Sequence, residues 1–136
     1  MASPAVTVEA VTVPPTLLRR ALLLDAITTS GNGLLYLLAS GPISELLGVR
    51  SAPLLAVGAF LTTYGIVVAV TAKPARPAAW ATRMVIGTNI GWTLISVVTA
   101  ASGWLETNPI GMAWTVAQGF VVAGFAALQW IGLKRT

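Results

Sequence analysis

The chain has 136 residues, of which 56% are hydrophobic and only 9% are charged. Soluble domains carry about 25% charged residues, and a chain of this length has too little interior to hide so many apolar side chains. The absence of Cys and His excludes disulfides, thiol nucleophiles, Cys/His zinc sites and histidine acid–base chemistry.

Acidic residues are rare as well. The four present, Glu9, Asp25, Glu45 and Glu106, are spaced too widely for a carboxylate metal site or a paired-carboxylate hydrolase. We therefore expect no catalytic residues, no metal and no cofactor, and we do not expect an enzyme. The net charge of +4 comes from basic residues at the ends of apolar blocks rather than from a basic face, so we expect no nucleic-acid partner.

In chain order, residues 1–16 are predicted to form a flexible cytoplasmic tail, because they contain three prolines and no apolar core. Residues 17–136 are predicted to form a single membrane domain. Four apolar blocks are each long enough to cross a bilayer, which takes roughly 20 helical residues. These spans are predicted near 17–39, 53–72, 78–101 and 109–133. Short connections make successive spans antiparallel, so the predicted fold class is all-α, an integral membrane up-down four-helix bundle.

The connections carry signals for where helices begin and end. The stretch SGPISELLGVRS can hold one interfacial turn of helix, opened by Pro42 and stopped by Gly48. Ser51 and Asn108 (or Thr107) precede the second and fourth spans and are candidate N-caps, because their side chains can accept a hydrogen bond from a free backbone N–H.

The distribution of Lys and Arg predicts the orientation in the membrane. Seven of the eight basic residues fall on one side of the predicted bundle, and only Arg50 falls on the other. The seven are Arg19, Arg20, Lys73, Arg76, Arg83, Lys134 and Arg135. Because short loops rich in Lys and Arg stay in the cytoplasm, we expect both the N- and the C-terminus there.

Spans two and four share a short sequence pattern. YGIVVA at 64–69 aligns without gaps with QGFVVA at 118–123, and the same register pairs Phe60 with Trp114. A tandem repeat of two helical hairpins is one interpretation, and the repeats would then be parallel in the membrane. Chance similarity between apolar helices rich in Val, Ala and Gly is the other.

Span one carries its polar residues on one helical face, opposite a face rich in Leu. Asp25, Thr28, Thr29, Asn32 and Tyr36 recur at helical spacing. Lipid offers such a stripe no hydrogen-bond partners, so we expect it to face the interior of the bundle or a cavity.

Asp25 is the most informative residue of that stripe, because an ionised Asp at the centre of a span costs about 2.5–3.5 kcal/mol on insertion scales. Arg83 is predicted at a similar depth near the cytoplasmic start of span three. We therefore hypothesise an intramembrane ion pair between Asp25 and Arg83 that ties span one to span three. The alternatives are a proton or substrate relay and no pairing at all.

The remaining polar and small residues support two interpretations. In the first, they only pack helices: Gly and Ala allow close approach, and Asn and Gln bridge neighbouring spans. The helix-packing candidates are Gly58, Gly65, Gly87, Gly91 and Gly119, and GTNIG at 87–91 is a small-xxx-small pattern. In the second, Thr28, Asn32, Tyr64, Asn89 and Gln118 line a polar cavity near the middle of the membrane. Such a cavity would suit a neutral or amphipathic ligand better than an ion.

Three stretches resemble a known group of proteins. They are DAITTSGNGLLYLLASGPISELLGV at 25–49, GAFLTTYGIVVAV at 58–70 and GMAWTVAQGFVVAGFAALQWIGLKR at 111–135. They are similar to those of small four-span integral membrane proteins of actinobacterial type. The resemblance implies a four-span architecture in a bacterial plasma membrane. It implies no activity, because the group brings none that is established.

Two functions follow from these observations. The first is structural or accessory: a polytopic protein without catalytic machinery that contacts membrane lipid and acts in a homodimer, through a Gly/Ala face, or in a larger membrane complex. The second is a transporter or binder of a small neutral or lipid-like molecule, which would occupy the polar cavity.

Overall fold

A computed structural model describes residues 16–104 and 107–136 of the chain. The fold within these ranges consists of five helices. They are α1 (Thr16–Leu38), α2 (Ser40–Leu47), α3 (Ser51–Ala72), α4 (Ala79–Ser102) and α5 (Pro109–Lys134). The expected flexible tail lies outside the described residues, apart from Thr16, with which α1 begins.

Four of the helices, α1, α3, α4 and α5, are long and apolar enough to cross a membrane. They form a bundle without strands in the described part of the chain, which confirms the all-α four-helix fold predicted from hydropathy. Large apolar side chains cover its outside: Leu38, Trp80 and Phe120, for example, are 85%, 73% and 70% exposed. Such a surface matches lipid rather than water.

The short helix α2 lies between the first two spans. It has eight residues and begins at Ser40, so it is longer than the single turn predicted from Pro42 onwards. It stops at Gly48, whose φ of 69° lies in the left-handed region where a glycine has no steric penalty.

The two candidate N-caps behave differently. Asn108 caps α5, because its side-chain oxygen accepts a hydrogen bond from the backbone N–H of Gly111 at 2.8 Å. Its Nδ2 also donates to the carbonyl of Leu46, which fastens α2 to the start of α5. Ser51 is instead the first residue of α3, and the N-cap position belongs to Arg50, which makes no side-chain cap.

Helices α1 and α3 pack most closely, because glycines let their backbones meet. A Cβ atom on Gly33 would lie 2.6 Å from the backbone nitrogen of Thr62. A Cβ on Gly58 would lie 3.0 Å from the carbonyl of Gly33, and one on Gly65 would clash with Ser30 Oγ. Close backbone approach of this kind is a common basis of helix association in lipid, where the hydrophobic effect gives no driving force.

The second hairpin, α4 with α5, repeats one of these contacts. A Cβ on Gly119 would lie 3.2 Å from the Cβ of Ser96, just as Gly65 abuts Ser30 in the first hairpin. Gly65 and Gly119 are the glycines that the YGIVVA and QGFVVA segments place in equivalent positions. The two hairpins therefore use matched glycine–serine contacts between their spans.

The hairpins join mainly through α1 and α5. At one end of the bundle a Cβ on Gly132 would lie 2.8 Å from the backbone of Leu18. Helices α3 and α4 have few backbone contacts, and aromatic side chains meet between them. The rings of Phe60 and Trp92 stack there, with centroids 5.7 Å apart.

Two of the five glycines proposed for helix packing lie away from every helix contact. Gly87 and Gly91 of α4 have open space around the position of a Cβ, with nothing within 4 Å. They lie on or beside the outer face of α4, whereas Thr82, Asn89 and Ser96 are on its buried face. The small-xxx-small segment is thus not used between helices of the described chain.

Candidate functional site

Asp25 lies at the centre of a buried hydrogen-bond network. Its side chain is 0% exposed and accepts three hydrogen bonds from other side chains. Thr29 Oγ1 donates to Oδ1 at 2.8 Å, whereas Asn89 Nδ2 and Gln129 Nε2 donate to Oδ2 at 2.8 and 2.7 Å. These donors come from α1, α4 and α5, so one carboxylate links three of the four spans.

The network reaches the fourth span through Tyr64 of α3. The Tyr64 hydroxyl lies 2.9 Å from Asn89 Oδ1 and 3.1 Å from the carbonyl of Val85, to either of which it can donate. Asn89 Nδ2 also donates to Gln129 Oε1 at 3.1 Å. We refer to Asp25, Thr29, Tyr64, Asn89 and Gln129 as the polar network. Every fully buried side-chain nitrogen or oxygen in the described residues has a hydrogen-bond partner, as burial in an apolar medium requires.

Arg83, the hypothesised partner of Asp25, is placed elsewhere. Its side chain is exposed, and it is not among the residues that contact the Asp25 carboxylate. The reason is helical phase: Thr82, Val85 and Asn89 are on the buried face of α4, and Arg83 is turned away from that face. The side-chain amides of Asn89 and Gln129, and not the guanidinium of Arg83, therefore contact the Asp25 carboxylate.

Next to the polar network is a cavity of about 350 Å³. Helices α1, α3, α4 and α5 all contribute to its lining. The five side chains proposed for a polar cavity all line it: Thr28, Asn32, Tyr64, Asn89 and Gln118. Among the described residues no Asp, Glu, Lys or Arg lines it, and Asp25 itself is fully buried. The space is bounded mostly by apolar groups, with these polar side chains interspersed.

The cavity is open to the outside, and most of the exposed residues that line it are on α1 and α5. They include Ile27, Gly31 and Leu35 of α1 and Ala117 and Val121 of α5. We call this opening the lateral window.

Hydrogen bonds between α1 and α5 bound the window at both ends. At one end Gln129 donates to Asp25, and at the other Trp114 Nε1 donates to the Tyr36 hydroxyl at 2.6 Å. On α1 these boundary residues are 11 positions apart, or about 16 Å along the helix axis. The window therefore faces the middle part of the spans, where lipid chains surround the protein.

On the α3 and α4 side of the cavity is an aromatic wall formed by Tyr64, Phe60 and Trp92. The rings of Phe60 and Tyr64 have centroids 5.8 Å apart and planes inclined by 6°. The planes of Phe60 and Trp92 are inclined by 10°. All three side chains line the cavity, so one side of it presents nearly parallel rings.

The polar side chains that line the cavity differ in whether they form hydrogen bonds within the protein. Asn89 and Tyr64 donate their hydrogens within the polar network. Thr28, Trp92 and Gln118 also line the cavity, and the structure records no hydrogen bond for their side chains within the described residues. The lining of the cavity therefore contains both hydrogen-bonded donors and N–H and O–H groups without a partner among the described residues.

Sequence reasoning did not identify the roles of Gln129, Thr29 and Trp92. Gln129 and Gln118 are 11 positions apart in span four and so share a helical face. Because Gln118 is predicted to face the cavity, this spacing could have indicated that Gln129 also faces inward. Thr29 follows Asp25 by one helical turn, close enough to donate to it. No pattern in the sequence indicates that Trp92 stacks on Phe60, because that contact joins separate spans.

These features define a class of protein: a multi-pass helical membrane protein with a polar network and a laterally open cavity among its spans. No family model, curated protein or solved structure matches the chain.

Proposed function

We propose that this protein binds or transports a small neutral or lipid-like molecule in the cavity behind the lateral window. The observation that carries the proposal is that polar side chains from all four spans line one space that is open toward the bilayer. Helix packing alone does not require such a space, because polar residues that only bridge helices are normally packed against one another.

The composition of the lining favours a neutral, largely apolar occupant. No charged side chain of the described residues lines the cavity to balance an ion. At this depth the bilayer supplies no water to the polar groups, so a ligand with a few matching polar atoms gains hydrogen bonds there. The proposal contains no catalytic step, no metal and no cofactor, and the one nearby carboxylate, Asp25, is fully buried.

A change at Gly31 is expected to abolish binding. Gly31 lines the cavity at the window, and a Cβ there meets nothing within 4 Å, so Gly31→Leu would place a side chain in the opening without a clash. We expect wild-type protein purified in mild detergent to retain a defined small molecule, detected by mass spectrometry, and Gly31→Leu to lose at least about nine-tenths of it.

The matched control for this experiment is Gly124→Leu. Gly124 also has open space around it and lies on α5, but it does not line the cavity. Gly124→Leu should retain the molecule at the wild-type level. Equal retention by both variants, or no retained molecule in wild type, would contradict the proposal.

An accessory role is the second candidate function. The observation that favours it is the outer side of α4, where Gly87 and Gly91 leave open space beside exposed Ile90 and Leu94. A helix of a second copy, or of a larger membrane complex, could approach closely there. The same purification tests this role, because a dimer or a co-purifying membrane protein would be visible in the mass spectrum of the wild type.

We also propose that the protein lies in a bacterial plasma membrane with both termini in the cytoplasm. The resemblance to actinobacterial four-span proteins and the concentration of Lys and Arg on one side support this. Arg19 at the start of α1 donates to the carbonyls of Ala72 and Lys73, so the start of the first span and the end of the second share one end of the bundle.

Single cysteines would report this topology, because the native chain has none. Gly41→Cys and Ala75→Cys both alter exposed positions, at opposite ends of the spans. In intact cells, we expect a membrane-impermeant maleimide to label Gly41→Cys, and to label Ala75→Cys only after lysis. The reverse pattern would place both termini outside the cytoplasm.

A further inference from the structure

We infer that the ligand is a neutral lipid with a planar ring head group that carries carbonyl oxygens, the chemistry of a quinone with an apolar tail. This inference rests on the proposed function and specifies its ligand class. Four properties of the cavity carry it: its size, its aromatic wall, its free hydrogen-bond donors and the position of its opening.

The size of the cavity suits a head group rather than a whole lipid. Its volume of about 350 Å³ is near the lower end of the range of about 300–1,000 Å³ for small-molecule sites. The remainder of the ligand must therefore lie outside. The window provides the route, because its edges carry exposed apolar side chains such as Ile27 and Val121 beside lipid.

The aromatic wall suits a flat ring. Tyr64, Phe60 and Trp92 present nearly parallel rings in one row along the cavity. Aromatic groups prefer offset-stacked or edge-to-face contacts, and a planar head group can make either with such a row. A branched or flexible head group would gain less from the same surface.

The free donors suit carbonyl oxygens. Thr28, Trp92 and Gln118 carry O–H or N–H groups with no hydrogen bond recorded to any other described residue. Carbonyl oxygens accept hydrogen bonds and carry no charge, so they match this set in a site lined by no charged side chain. A phosphate or carboxylate head group would lack a counter-ion there.

The inference can be tested with a 1,4-benzoquinone bearing a decyl tail. Decylbenzene is the matched probe, because it has a ring and the same tail but no carbonyl oxygens. Binding of each probe to the full-length protein in detergent would be titrated by native mass spectrometry. We expect one quinone per chain and at least tenfold weaker binding of decylbenzene.

Two variants examine the wall and the donors. Gln118→Leu removes a donor of the lining, and we expect it to weaken quinone binding about three- to tenfold, the loss of one hydrogen bond. Phe60→Leu removes the middle ring of the wall and should have an effect of similar size. Phe120→Leu is the control, because Phe120 is exposed and does not line the cavity. It should bind the quinone like the wild type.

The outcomes separate this inference from the proposed function. If decylbenzene binds as tightly as the quinone and Gly31→Leu removes both, the cavity binds lipid-like molecules but the ring-carbonyl inference is false. Equal quinone binding by wild type and Gln118→Leu would also overturn it. If Gly31→Leu leaves the binding of both probes unchanged, neither probe occupies the cavity and the inference falls, while the co-purified molecule still decides the proposed function.

Discussion

Replacing Asp25 with leucine is expected to lower the free energy of unfolding by about 3 kcal/mol, the order expected when charge-assisted hydrogen bonds between buried groups are lost. The carboxylate accepts hydrogen bonds from Thr29, Asn89 and Gln129. Thr29 can turn to a backbone carbonyl of its own helix, but the amides of Asn89 and Gln129 lose their strongest acceptor. Neutral hydrogen bonds between spans average only about 0.6 kcal/mol, so the larger value expected here is the one for bonds to a carboxylate.

A buried charge is costly, and leucine inserts into lipid more easily than aspartate. Unfolding within a micelle or bilayer separates the helices but leaves them in an apolar medium. In that state the Asp25 carboxylate has lost the amide donors of α4 and α5, so the wild-type carboxylate favours the assembled bundle. The network is therefore expected to stabilise assembly even though the residue hinders insertion.

Reversible unfolding in mixed detergent micelles, followed by circular dichroism, would measure the change. Leu24→Ala is the neighbouring control, because Leu24 is 54% exposed, and it should change stability by less than about 0.5 kcal/mol. Asp25→Asn keeps the side-chain shape and one acceptor oxygen, so an intermediate loss is expected. An Asp25→Leu variant as stable as the wild type would show that the network contributes nothing to assembly.

Gly33→Ala is expected to destabilise the bundle by about 3 kcal/mol, the upper end of the usual range for overpacking, because rigid atoms must move. The added methyl carbon would lie 2.6 Å from the backbone nitrogen of Thr62 and 2.8 Å from the carbonyl of Gly58. Because both are backbone atoms of α3, no side-chain rotation relieves the contact and the two helices must separate. This would loosen the closest helix pair of the protein.

The matched control is Gly31→Ala, two positions earlier on the same helix. A Cβ at Gly31 meets nothing within 4 Å, so the change should be neutral or slightly stabilising through the higher helix propensity of Ala. The same unfolding titration would compare both variants. Similar stability of the two would mean that α1 and α3 do not approach as closely as described.

The architecture of this protein follows directly from its sequence. Length and hydropathy suffice to predict four spans, because each helix must cross a fixed thickness of hydrocarbon. Relative to the predicted limits, α1 and α4 are each shifted by one residue, α5 ends one residue later and α3 begins two residues earlier. Gly48 also ends α2 where the sequence indicates, because a left-handed residue is needed there.

The partners within the site were harder to predict. The sequence shows that Asp25 is on a polar face, but opposite charge and similar depth favoured Arg83, which is exposed on α4. Choosing Asn89 and Gln129 instead required the relative rotation of three helices, which hydropathy does not fix. The same uncertainty applies to Gly87 and Gly91, because a small-residue pattern does not reveal whether its face meets a helix of the same chain.

The order of synthesis gives the polar network a further consequence. Asp25 enters the bilayer in the first span, 64 residues before Asn89 and 104 residues before Gln129 are made. During most of translation only Thr29, on the same helix, is available to the carboxylate. A nascent chain truncated before the last span lacks Gln129 and thus keeps an under-satisfied acid inside the membrane.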